Sequence, residues 1–330
     1  MAYVKNSNSR KISRVYVEED AFEYEITKKV LSKYPDLDVV TIKNYKDVFN
    51  RSKQCFSLQK DYPQLILAVK KDNFIYEGSP MCQSFGCNKY YYATLMINCL
   101  FDCKYCFLQG MYNSAIIVAF VNVEDFIQEF KLLREGSLLA LSYETDLIAH
   151  HNIVPYMDYL YSYFKETRGV IGEIRTKSAN TVVLAEYEPI DNLILAYTLT
   201  PGDIISKHER FTPSLDARLM AVNRALELGY KVRVCFDPVF VDEVDYTEFF
   251  RYVFSKIDGE SILDVGYGFF RMPKEQFVRA SKESDSVLFA KDYEVIDETV
   301  TYSKKIVDEI AERHLSFIQE YVKREKIYIL

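Results

Sequence analysis

Three of the chain's seven cysteines fall within eight residues, in the stretch CLFDCKYCFLQG (residues 99–110). Cys99, Cys103 and Cys106 stand at offsets of four and three. A zinc ribbon draws four ligands from two C-x-x-C elements; here there is one C-x3-C-x2-C group and no second pair nearby. Three thiolates in one loop can hold three irons of a [4Fe–4S] cluster and leave the fourth iron open to a small chelating molecule. Thiolate suits iron because it is soft, anionic and supports low reduction potentials. Two other readings stand beside this one. The cysteines can be three buried thiols, or a zinc site completed by a distant Cys82 or Cys87.

Composition bounds the context of that loop. The 330 residues suffice for one large or two ordinary domains with a substantial core. The balance of 49% hydrophobic and 27% charged residues is that of an ordinary globular chain. No apolar run approaches the roughly 18 residues of a membrane span, so no membrane partner is expected. The N-terminal MAYVKNSNSRK lacks the apolar core of a signal peptide. A cytoplasmic monomer is the default expectation, and there clustered cysteines serve as metal or redox groups rather than disulfides. A net charge of −7 argues against tight nonspecific binding to nucleic acid, which rests on neutralising many phosphates. The 27 Tyr and 22 Phe can stack on bases, although core packing is the commoner use of such residues.

The elements that must position the loop follow from periodicity. Arg14–Val17, Asp38–Ile42 and Gln64–Val69 read as strands and Ala21–Lys33 as a helix, a small α/β lobe. Residues 72–93 carry Gly, Pro, Ser and Asn and read as a connecting loop. Ala93–Asn98 reads as a strand ending at the cysteines. Strands at Ser137–Ser142, Gly172–Arg175, Asn192–Leu199, Lys231–Phe236 and Ile262–Tyr267 then alternate with helices at Val123–Arg134, Val154–Lys165, Leu215–Leu228 and Tyr246–Lys256. About six βα units in a row predict an α/β fold with a partial (β/α)6 barrel, whose chemistry sits on loops after the strands. Residues 1–88 are assigned to the N-terminal α/β lobe and its connecting loop, 89–280 to the barrel, and 281–330 to a C-terminal extension expected to be helical.

The cysteine spacing, with Tyr105 just before the last ligand, resembles that of the radical S-adenosylmethionine (radical SAM) superfamily. Within it the chain is similar to the spore photoproduct lyase-like family. The similarity runs through CLFDCKYCFLQGMYNSAIIVAFVNVEDF, LALSYETD (139–146), RTK (175–177), AYTLTPGDIISKHERFTPSLDARLMAV (196–222) and GYKVRVCFDPVF (229–240). The pieces recur in order, strongest between residues 93 and 240. The resemblance implies an enzyme that binds a [4Fe–4S] cluster at Cys99, Cys103 and Cys106 and cleaves S-adenosylmethionine to a 5′-deoxyadenosyl radical. The radical then reverses a UV thymine lesion by carbon–carbon cleavage. It implies SAM contacts at Thr145, Lys177, Thr198 and Asp237, damaged DNA as partner, and an electron donor such as flavodoxin or ferredoxin. Lys177 suits the methionine carboxylate as a compact cation.

The chain departs from the family pattern at three places. Where the family has a cysteine that returns hydrogen to the product radical, this sequence has Tyr143. Tyr143 can give a phenolic hydrogen, Cys82 or Cys87 can supply a thiol, or the chain acts on a different substrate. Phe107 lacks the hydroxyl that the family can carry beside Tyr105. Residues 282–303 are acidic and mixed, with no evident counterpart of the family's basic duplex-wedging hairpin. Arg271 is a candidate phosphate contact or a solvated surface residue. His150 and His151 read as capping or polar packing residues, since no further ligands stand at metal spacing.

Overall fold

The computed structural model describes residues 11–79, 81–241 and 243–330. Two sheets carry the molecule. The first has the order Val39–Ile42, Arg14–Glu18, Gln64–Ala68, Ile117–Phe120, Met96–Ile97, with the last strand antiparallel and the others parallel. The second has eight strands, in the order Ile327–Ile329, Asp264–Phe269, Lys231–Val239, Leu193–Thr198, Val170–Thr176, Ser137–Ala140, Lys89–Ala93, Ile75–Glu77. All are parallel except Ile75–Glu77, which pairs antiparallel with Lys89–Ala93. Among the described residues no helix is long and apolar enough to cross a membrane.

The chemistry of each strand explains its place. Leu193–Thr198 and Asp264–Phe269 are buried along their whole lengths, as parallel strands covered on both faces require. The covering helices are amphipathic: Val123–Phe130 buries Val123, Phe126 and Phe130, and Tyr246–Phe254 buries Tyr246, Phe249, Phe250, Val253 and Phe254. Leu215–Glu227 opens with Ser214, whose hydroxyl accepts from the Ala217 amide. It ends before Gly229, whose φ of +92° takes the left-handed conformation that a side chain would strain.

Four expectations are corrected. Residues 72–93 are not a plain loop. They contain Ile75–Glu77 and Lys89–Ala93, the first two strands of the large sheet in chain order. A three-residue strand and a tyrosine triplet carry too little alternation to announce themselves. The strand expected at Ala93–Asn98 is two elements: Lys89–Ala93 ends in the large sheet, and Met96–Ile97 joins the first sheet. The helix expected from Ala21 begins only at Glu25, after a 3-10 turn at Glu19–Glu23.

The C-terminal extension is not simply helical. A hairpin joins Glu294–Ile296 to Thr299–Thr301, with Asp297 and Glu298 at φ of +47° and +58°. Two successive positive φ values at its tip match the twist of tight hairpins. One helix, Lys304–Ile318, follows, and Ile327–Ile329 then adds a parallel edge strand to the large sheet. The two sheets also interleave in sequence, because Met96–Ile97 and Ile117–Phe120 of the first sheet come after Lys89–Ala93 of the second.

The helix Leu108–Met111, directly after the cysteines, rests on the helix Lys274–Glu283 through Gly110. A Cβ on Gly110 would lie 2.0 Å from the Gln276 carbonyl oxygen. Backbone cannot yield as a flexible side chain does, so Gly110→Ala is expected to cost about 1–3 kcal/mol, read as a lowered midpoint in denaturant unfolding.

Candidate active site at the cysteine loop

Two adjoining cavities open where the large sheet meets the cysteine loop. The smaller, 160 Å³, is lined by Cys99, Cys103 and Cys106 together with Lys60, Thr145, Asp146, Lys177 and Thr198. The larger, 430 Å³, shares Cys103, Cys106, Tyr143, Arg175, Lys177 and Thr198 with it and adds Cys82, Tyr105, Asp237 and Arg271. Of the residues singled out from sequence, Cys87, His150 and His151 line neither; Cys87 lies in the fields of Arg233, Asp264 and Glu173.

The loop is held from several sides. Asp102–Cys103 pairs antiparallel with Glu209–Arg210, with Cys103 opposite Glu209. The Gln109 side-chain amide donates to the Cys103 carbonyl at 2.8 Å, and the Phe101 amide points at Cys99 Sγ at 3.4 Å. The Asn98 side chain donates to the carbonyls of Ser114 and Ile116, both at 2.8 Å. Thr145 does not offer its hydroxyl proton to the cavity: it donates to the Asn98 carbonyl at 2.8 Å.

Asp146 aligns the cation of the site. Its carboxylate accepts from the Ala149 amide at 2.9 Å, the Thr176 hydroxyl at 2.8 and 3.0 Å, and the Lys177 amide at 2.8 Å. Burial pushes its carboxyl up, and the three kinds of donor work against that. Lys177 Nζ then lies 3.8 Å from Cys103 Sγ and 4.0 Å from Glu209. Burial alone would lower its pKa, but Cys103 and Glu209 outweigh it and hold the ammonium charged.

Glu209 was not expected from the sequence. It is fully buried and pairs with Arg218, which is also fully buried, while the Tyr105 hydroxyl donates to its other oxygen. Burial pushes its carboxyl up, yet Arg218 and Lys177 dominate and hold it at about 2. Arg218 also donates to the Thr198 carbonyl at 3.2 Å, so one ion pair fixes Tyr105, Lys177 and Thr198 together. No local signal marks this pair, because a Glu and an Arg nine residues apart across a loop look like ordinary surface charges.

Burial also pushes the cysteine thiols up, Cys99 to about 12. A cationic centre is what would turn three such thiols into thiolates. The wall of the smaller cavity contributes no fourth cysteine or histidine among the described residues. Nor do any three His, Cys, Asp or Glu side chains converge there as a single metal ion would require. Three cysteines lining one small cavity are the donor set that a cuboidal iron–sulfur cluster with one open iron would take.

The larger cavity holds the groups discussed for hydrogen return. Tyr143 stacks on Tyr92, with ring centroids 4.2 Å apart and planes at 27°. Cys82 Sγ sits 3.9 Å from the Tyr143 hydroxyl, its thiol directed at the phenol oxygen. Burial keeps both protonated by pushing their pKa values up. Asp237 accepts from Arg271 at 3.0 Å and from Arg175 at 3.3 Å, so Arg271 is half-buried and paired rather than solvated. His150 is buried, with Nδ1 2.8 Å from the Asp146 carbonyl, and burial lowers its pKa to about 4. His151 lies 3.4 Å from Glu186.

No protein-family model matches the sequence. The spore photoproduct lyase of Bacillus subtilis (strain 168) is 20% identical over 290 residues, covering 81% of this chain and 79% of that one. The enzyme of the same name from Geobacillus sp. (strain Y412MC61) is 22% identical over 286 residues, covering 81% and 80%. A solved cysteine-to-alanine mutant of spore photoproduct lyase superposes with a TM-score of 0.82 over 97% of this chain and 98% of that chain, at 16% identity. A double mutant solved with bound AdoMet and dinucleoside spore photoproduct gives a TM-score of 0.80 at 16% identity, again over 97% and 98%.

The Glu209 ion pair carries a pH signature. A carboxyl held at about 2 when folded stabilises the fold above its unfolded value near 4.3, and that stability is lost as pH falls towards 2. Glu209→Gln leaves Arg218 buried without its anion and is expected to cost about 3–5 kcal/mol at neutral pH. In acid titrations followed by circular dichroism, the variant should show a shallower loss of stability than the parent between pH 4.3 and 2.

Proposed function

We propose that this chain, which is related in sequence to the spore photoproduct lyases and shares their fold, is a radical SAM enzyme of the carbon–carbon lyase kind. The observation that carries the reading is the convergence of Cys99, Cys103, Cys106, Lys177, Thr198 and Tyr143 on two adjoining cavities at one end of the large sheet. The three cysteines would hold the cluster, whose supplied chemistry is the electron that cleaves S-adenosylmethionine to methionine and a 5′-deoxyadenosyl radical. Lys177 and the Thr198 region would take the methionine end, and the backbone beside Asp237 the adenine. Tyr105, pinned to Glu209, forms the floor beneath Lys177, whose Nζ lies 5.4 Å from the ring centroid. The partial (β/α)6 description and a flavodoxin- or ferredoxin-like electron donor belong to the same proposal.

The substrate in this reading is the thymine lesion named for the relatives. In this reading Tyr143 returns the hydrogen. The product radical takes hydrogen from the phenol: the O–H bond breaks, a C–H bond forms, and a phenoxyl radical remains. Cys82 then gives its S–H hydrogen to the phenoxyl across the 3.9 Å contact, leaving a thiyl radical. One electron from the donor protein and one solvent proton restore the thiol. Cys87 has no part in this path.

A second reading is favoured by one feature. The hairpin at 294–301 pairs with Arg271–Pro273, residues that line the larger cavity, and Thr299 donates to Met81 at its rim. Its exposed tip carries Asp297 and Glu298, and Glu294 is exposed at its base. Negative charge beside the entrance opposes a phosphate-rich duplex, which favours a lesion in a short or single strand, or another substrate for the same chemistry.

Anaerobically reconstituted protein given S-adenosylmethionine and dithionite should release 5′-deoxyadenosine, and dinucleotide lesion should increase that release and revert to thymine. Deoxyadenosine that ignores the dinucleotide lesion would point to another substrate for the same chemistry; none from a protein with a full cluster would refute both readings. Lys177→Met should weaken S-adenosylmethionine binding by about 1.5–3 kcal/mol, measured by equilibrium dialysis. With Tyr143→Phe and with Cys82→Ala, deoxyadenosine should still form while lesion reversal falls; reversal unchanged in both would remove the hydrogen-return path.

A further inference from the structure

Lys60 belongs to the short helix Phe56–Asp61 of the first lobe, 39 residues before Cys99. It is 5% exposed. Its ammonium donates to the carbonyls of Cys99 and Phe101, both at 2.7 Å, and its side chain lines the smaller cavity with the three cysteines. An ammonium has three N–H bonds, and the loop takes two.

The Phe56 ring centroid lies 5.6 Å from Lys60 Nζ, a weak cation–π contact, and no carboxylate answers the charge among the described residues. Asp61, next to Lys60 on its helix, and Asp102, in the cavity wall, both pair with Arg210. Asp146 accepts from Thr176 and the Lys177 amide. Among the described residues Lys60 has no ion-pair partner. Lys177 differs, since it sits 4.0 Å from Glu209. Two carbonyls only partly replace the water lost by a buried cation, and an anion in the cavity would supply the remainder.

We infer that Lys60 is the buried countercharge of the iron–sulfur cluster, clamping the cysteine loop by two carbonyls and stabilising the cluster's reduced state. The inference rests on the reading of the cysteine loop proposed above. A [4Fe–4S] core of charge +2 with three thiolates is an anion of charge −1, and reduction by one electron makes it −2. A fixed cation at close range in a dry site favours the more negative form and raises the reduction potential. Lys60 is a positioning residue in this scheme, touching loop backbone rather than substrate.

The test uses the full chain, reconstituted anaerobically, as wild type, Lys60→Met, Lys60→Arg and Lys60→Gln. Iron and sulfide content is measured first, and the midpoint potential by EPR-monitored titration second. Lys60→Met should hold a cluster whose potential is more negative than wild type, and Lys60→Arg should restore it. An unchanged potential in a fully loaded Lys60→Met protein overturns the inference. If Lys60→Met loses iron, Lys60→Gln decides, because it keeps N–H donors for the carbonyls and drops the charge. A lowered potential there supports the inference and an unchanged one overturns it. Loss of iron from both neutral variants with retention in Lys60→Arg also supports it, whereas loss from Lys60→Arg as well overturns it, since shape rather than charge is then what the site requires. Wild-type protein that takes up neither iron nor sulfide refutes the cysteine-loop reading itself, and the inference falls with it.

Discussion

The buried pair between Glu209 and Arg218 is the constraint from which the site is built. Both side chains are without measurable exposure, so neither charge can be relieved by water. Each must therefore keep its partner, and every group that touches the pair inherits its rigidity. Tyr105 donates to Glu209, Lys177 lies against it, and Arg218 reaches the Thr198 carbonyl. Glu209 also faces Cys103 across the two-residue ladder that closes the cysteine loop. One carboxylate thus links the loop, the strand Val170–Thr176 through the following Lys177, and the strand Leu193–Thr198.

A second buried knot borders the larger cavity. Arg233 is sandwiched between Glu173 and Asp264, with its guanidinium carbon 3.4 Å from the Phe85 ring centroid. Arg175 joins Glu173 to Asp237, and Arg271 completes the chain at 3.0 Å. Alternating charges inside the large cavity leave little free positive potential for phosphate. The cavity's remaining walls include several aromatic rings, among them Tyr90, Tyr92, Tyr143 and Phe107. Such walls suit the flat face of a base better than a backbone, in keeping with the acidic hairpin at the rim.

Much of the fold was readable in advance, and the misses share a cause. Long apolar runs such as NLILAYTL and KVRVCF announce buried parallel strands whatever surrounds them. Ile75–Glu77, Met96–Ile97 and Thr299–Thr301 are too short for any period to emerge, and exist because a neighbour offers an open edge. Tyr91 and Tyr92 looked like loop aromatics, yet Tyr92 stacks between Tyr76 across the strands and Tyr143. Cys82 and Cys87 were equivalent in sequence; the chain turns between them so that only Cys82 faces Tyr143.

What the sequence by itself determined is the chemistry available: three thiols at offsets of four and three, a lysine closing a strand, and a phenol at Tyr143. Those depend on covalent order and local periodicity, which a linear chain displays directly. Only the tertiary structure decided which charges answer one another. Glu209 meets Arg218 across a loop, and Lys60 enters the cysteine loop from a lobe 39 residues upstream. Such pairings are set by which surfaces the packed sheets bury together, and the cost of leaving a buried charge alone appears only once water has been excluded.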